Sequence, residues 1–162
     1  MNLRTISKLM LGLAIVAFTA TGCKKDECKD KNCGNGSCVD GNCVCNTGYE
    51  GSECGTEKRA KFLGSWSATE TCTSGNFNWT MTSTASSQGV TAFIFNNFAG
   101  FNGINVNATV NSNGTSITIP NQTVQGGTFS GSAQIVGNVM TLTYQLTANG
   151  QTDNCTATCT RQ

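Results

Sequence analysis

The chain has 162 residues, with ten cysteines, one proline, no histidine and a formal net charge of +1. That balance offers no basic footprint for nucleic acid, and the lack of histidine removes most acid–base triads together with the commonest metal ligand. The length suits one ordinary domain, or one small domain beside a cysteine-rich module.

The first residues carry Arg4 and Lys8, then an apolar run from Leu9 to Ala20. The run is too short to span a bilayer as a helix and has the shape of a secretory h-region. It ends in Ala20-Thr21-Gly22-Cys23, which resembles a bacterial lipobox with alanine where leucine is usual. That resemblance implies that residues 1–22 are a lipoprotein signal peptide and that the Cys23 thiol carries a diacylglyceryl chain. Acyl chains bury methylenes at roughly 0.8 kcal/mol each, so multiple acylation anchors the chain stably. The next residues, Lys24-Lys25-Asp26-Glu27, are similar to the surface-export signal of Bacteroidota lipoproteins. The expected location is therefore the outer membrane, lipid-anchored and facing outward. Four residues separate Cys23 from Cys28, a reach of about 15 Å when extended, so the segment after them stands close to the membrane.

That segment is a comb of six cysteines from Cys28 to Cys54, spaced C-x4-C-x4-C-x4-C-x-C-x8-C. Its apolar side chains, chiefly Val39, Val44 and Tyr49, make no core, so covalent staples must substitute for packing. Three bridges imply an oxidising compartment, and spacing alone leaves fifteen pairings open. The last loop, Cys45-Asn-Thr-Gly48-Tyr49-Glu-Gly51-Ser-Glu-Cys54, resembles the tail of an EGF-like module. The resemblance covers residues 28–54 and implies the pairs Cys28–Cys38, Cys33–Cys43 and Cys45–Cys54. Gly48 and Gly51 would sit where that loop needs positive φ or close backbone approach. A zinc site on Cys43 and Cys45 is disfavoured by their adjacent-but-one spacing and the lack of histidine. Calcium is not expected: Lys24 occupies the position where calcium-binding modules carry an acid, and Val39-Asp40-Gly41-Asn42 has no aromatic.

Residues 55–61, GTEKRAK, read as a polar linker. Beyond them, in 62–162, only Glu70, Asp153 and Arg161 are charged. Period-two alternation recurs through Trp66–Cys72, Phe77–Thr82, Val90–Phe95, Ile104–Val110, Ser116–Ile119, Phe129–Val136, Val139–Leu146 and Cys155–Arg161. Asn113-Gly114, Asn149-Gly150, Gly126-Gly127 and Gly137-Asn138 are two-residue hairpin signals. The expected fold is all-β: the small disulfide-rich module, then an antiparallel meander of eight or nine strands with one buried face. Lys and Glu, the usual guards of sheet edges, are nearly absent, which favours closure into a barrel.

Gly64-Ser65-Trp66 opens the first strand and Arg161 closes the last. This pairing is similar to the calycin superfamily, the lipocalins and their relatives, in which a late arginine covers an early G-x-W tryptophan. Setting Trp66 opposite Arg161 places Cys72 opposite Cys155, at a cross-strand distance near what a disulfide tolerates. The expectation is a Cys72–Cys155 bridge with Cys159 left as the odd thiol, inward-facing and without a histidine to activate it.

The function expected is non-catalytic binding of an extracellular ligand, with the cysteine module spacing the barrel off the membrane. The candidate pocket residues are Glu70, Trp79, Phe93, Phe95 and Tyr144. A buried Glu70 would need donors such as Tyr144. The partners expected are the membrane, through the anchor, and an extracellular ligand, protein or glycan; no metal, cofactor or nucleic acid is expected. A second reading makes the barrel an adhesion or structural module whose Thr/Asn-rich outer face does the contacting, with a filled interior. A remote third is a glycoside hydrolase built on Glu70 and Asp153, one desolvated and one ionised.

Overall fold

The computed structural model describes residues 27–162. The expected signal peptide, Cys23, and the Lys24, Lys25 and Asp26 part of the expected export signal lie outside the described residues, while Glu27 is exposed within them. The module begins with a hairpin of β1 (Gly36–Val39) and β2 (Asn42–Cys45). A second, two-residue ladder joins β3 (Tyr49–Glu50) to β4 (Thr56–Glu57). Cys28–Cys38, Cys33–Cys43 and Cys45–Cys54 are bridged. Val39 and Val44 are exposed, so the staples do replace a core here.

The rest is a closed antiparallel barrel of eight strands. In chain order these are β5 (Gly64–Cys72), β6 (Gly75–Ala85), β7 (Ala92–Asn96), β8 (Asn105–Val110), β9 (Ser116–Val124), β10 (Gly127–Val136), β11 (Val139–Ala148) and β12 (Gln151–Arg161). Consecutive strands pair up and down, and β12 closes on β5 with Arg161 opposite Trp66 and Cys155 opposite Cys72. The Cys72–Cys155 bridge forms in that register, and Cys159 remains free and buried. The alternation holds in space: Trp66, Ala68 and Glu70 point inward on β5, while the intervening Ser67, Thr69 and Thr71 are exposed. Strand β9 runs further than its alternating stretch, because Pro120 falls in a register shift between β9 and β10. A proline is tolerated at such a bulge, where the ladder asks for no N–H. Its turn is Gln125-Gly126, one residue earlier than the Gly126-Gly127 signal, with both residues at positive φ.

The segment 55–61 is more than a polar linker. It holds β4 and a 3-10 turn over Lys58–Phe62 that closes one end of the barrel. Phe62 is fully buried and stacks on Phe93 at 5.7 Å between centroids. Arg59 donates to the carbonyls of Ser86, Gly89 and Ala92, and Lys58 donates to that of Ser112, both in turns at this end. Trp66, fully buried, donates its indole N–H to the Phe62 carbonyl at 3.1 Å and to the Ser83 hydroxyl at 3.2 Å. Arg161 lies over its ring at 4.6 Å and donates to the carbonyls of Lys61 and Leu63. The module docks on the same end: Lys61 pairs with Glu50 at 2.9 Å. A Cβ on Gly48 would come within 2.5 Å of Val90, so only glycine permits that approach.

Candidate functional site

The interior is packed for most of its length. A file of aromatic rings runs along it, from Phe62 to Phe93, Phe95, Phe98 and Tyr144, each within 5.7 Å of the next. Phe93 and Phe95, which alternation offered as pocket residues, belong to this file and are wholly buried. Neither lines the recess at the open end. Alternation tells inward from outward, but not depth along the barrel axis, and these two sit where Phe62 and Phe98 cover them.

The other three candidates converge at the end opposite the module. A recess of about 300 Å³ opens there, with Glu70, Trp79 and Tyr144 in its wall. Glu70 is only 6 % exposed. Its Oε2 accepts from the Trp79 indole N–H at 2.9 Å and its Oε1 from the Tyr144 hydroxyl at 2.7 Å. Both of its oxygens are thus engaged by a neutral donor. Burial, and then the hydrogen bond to Glu70, push the Tyr144 hydroxyl far above the ordinary phenol range. Tyr144 therefore stays a donor at any working pH. Cys159, also buried, is pushed up to about 12 by burial and then by the Glu70 charge, which keeps it an inert thiol.

The mouth is built from less regular parts. Asp153 on β12 shares it, accepting from the hydroxyls of Thr73 and Ser74 and from the Ser74 N–H at 3.0 Å. Those hydroxyl bonds, Ser74 first, hold its carboxyl below the usual range. Phe77 on β6 and Phe101 in the β7–β8 connection form an apolar rim, 47 % and 50 % exposed. That connection folds inward. Phe98 is fully buried against Phe95, Phe129 and Tyr144, while Asn97 and Ala99 take left-handed φ of 54° and 53°. Non-glycine residues held there cost of order 1 kcal/mol each, and such strain clusters at ligand sites. A Cβ on Gly100 would meet Trp79 at 2.7 Å, so glycine is what lets the loop lie against the indole.

Phe77, Phe101 and the Ala99–Gly100 turn were missed by pattern reading. The available signal was the stretch Asn96-Asn97-Phe98-Ala99-Gly100-Phe101-Asn102-Gly103, too long for a hairpin turn and too aromatic for an idle one. Glu70, Cys72 and Cys155 bring three potential metal-ligating atoms within 4.8 Å. Two of them are joined as a disulfide, so the group is not a metal centre in this state. Gly64, Trp66 and Arg161 belong to the closed end and take no part in the recess.

Chemically, the recess is a small aromatic-walled cup with a buried carboxylate in its wall and a second carboxylate at its lip. No protein-family model matches the chain, and no curated protein matches it.

Proposed function

We propose that this is a lipid-anchored lipoprotein, exposed on the outer membrane, in which an EGF-like module carries a calycin-like barrel that binds an extracellular ligand without catalysis. The observation that carries the reading is the asymmetry of the barrel. One end is closed by Phe62, Trp66 and Arg161 and occupied by the cysteine module. The other opens on the recess of Glu70, Trp79 and Tyr144. A chain tethered through residues ahead of the module thereby presents its open end away from the module. Four disulfides fit an oxidising location outside the cytoplasm. The tryptophan–arginine closure and the eight-strand meander support the calycin-like reading.

Hydrolysis by the carboxylate pair is disfavoured by the hydrogen bonding. A glycosidase needs one carboxyl group that delivers a proton, whereas the hydroxyl bonds of Ser74 and Thr73 hold Asp153 below the usual carboxylate range and both oxygens of Glu70 are engaged by Trp79 and Tyr144. The adhesion reading keeps one observation of its own: the outer face of β5, β6 and β12 is a charge-free field of Thr, Ser and Asn above a mostly filled interior.

Protease shaving of intact cells, with mass spectrometry of the released peptides, tests the placement. Barrel peptides are expected from whole cells. Their release only after lysis overturns it.

A further inference from the structure

The recess has an electrostatic asymmetry that its packing does not resolve. Beyond Phe62 the chain holds two acids and one base. The base, Arg161, is engaged with Trp66 at the closed end, while both acids, Glu70 and Asp153, border the recess. Neither ion pair among the described residues involves either acid. Glu70 is therefore a desolvated carboxylate whose only partners are two neutral donors. Neutral donors satisfy lone pairs but leave the charge itself uncompensated, and a buried charge is ordinarily paired. Two accepted bonds also leave the carboxylate with unused acceptor capacity.

The rest of the wall suits an organic cation better than a hydrated metal ion or a neutral polyol. Trp79, Phe77, Phe101 and Tyr144 supply aromatic surface around the carboxylate, and ring faces attract ammonium groups more strongly where water is excluded. A neutral sugar could fill the same volume, but its hydroxyls would leave the Glu70 charge as unpaired as Tyr144 and Trp79 do. About 300 Å³ lies at the small end of ligand pockets. We infer that the recess takes a small organic cation, an ammonium group on a compact apolar or aromatic body, with the ammonium seated on Glu70 and the body held between Trp79 and the Phe77–Phe101 rim. This rests on the reading of the recess as a binding site and adds to it the class of ligand.

The test uses three probes of one shape: 2-phenylethylammonium, the neutral 2-phenylethanol and the anionic 3-phenylpropanoate. Binding to the full oxidised chain in detergent is monitored by calorimetry and by tryptophan fluorescence. The ammonium probe is expected to bind at least about tenfold more tightly than the alcohol, the size of one charge-assisted bond, and the anion not at all. Glu70→Gln should abolish the preference, and Phe101→Ala should weaken ammonium and alcohol alike.

A preference that survives Glu70→Gln in a folded variant overturns the inference. Equal binding of alcohol and ammonium overturns the ligand class and leaves the recess a binding site. Failure of all three probes at millimolar concentration overturns both.

Discussion

The bridge between Cys72 and Cys155 ties the first barrel strand to the last across 83 residues. Replacing both cysteines by alanine leaves the folded state little changed, because seven register pairs from Cys155–Cys72 to Arg161–Trp66 hold β12 on β5 without it. The effect falls on the unfolded chain, which regains the entropy of an open loop. For that loop length the chain-entropy relation gives about 4.5 kcal/mol at 25 °C, and the void left by two sulfurs adds about 1 kcal/mol. On a barrel of this size such a loss lowers the melting temperature by roughly 20 °C or more. Urea unfolding monitored by tryptophan fluorescence is the assay, with both proteins kept oxidised so that the three bridges of the module stay intact. The m-value supplies an independent check. An unfolded chain freed of its largest loop exposes more surface, so m must rise in the variant. A loss under about 1 kcal/mol with unchanged m would refute the reasoning, since it would mean the unfolded ensemble keeps β5 and β12 together unaided.

Four single residues give further outcomes. Gly100→Ala meets Trp79 at 2.7 Å from a left-handed backbone of φ 76°, and should cost about 2 kcal/mol or more and disturb Trp79 fluorescence. Gly126→Ala, with φ 85° and open space around it, should cost only the backbone term of about 1 kcal/mol in the same melts. Cys159, fully buried with its thiol pushed up to about 12, should resist iodoacetamide at pH 8 in the folded chain and react stoichiometrically in denaturant; rapid native labelling would contradict the burial. Asp153 has a folded pKa below its unfolded 3.8, so the native state binds fewer protons in that window. The stability it contributes is present above 3.8 and disappears as pH falls through the folded value, and Asp153→Asn should flatten that part of the acid stability profile.

Much of the architecture was legible in the order of residues. A strand with one buried face must alternate, and eight stretches did so. Nearly all lack the charges that protect an open edge, which makes closure the economical arrangement. The meeting of first and last strands was legible too, because the Trp66–Arg161 and Cys72–Cys155 pairs select the same register. Glu70 stood out as an acid at an inward position, and Tyr144 as a donor that could reach it.

Depth along the barrel was not legible. Phe93, Phe95, Phe77 and Phe101 look alike in the chain. Strand stagger and the inward fold of the β7–β8 connection bury the first two and leave the others half-exposed at the mouth. Segment 55–61 was equally opaque, since Lys58 and Arg59 find their carbonyl partners in turns 27 to 54 residues away. Sequence alone determined the all-β class, the six-cysteine comb and the inward set, because side-chain period and covalent staples act locally. Only the tertiary structure decided which end is closed and where the module rests. It also decided which inward residues meet in a cup, because strand stagger and long-range contact set that meeting, and no local pattern encodes them.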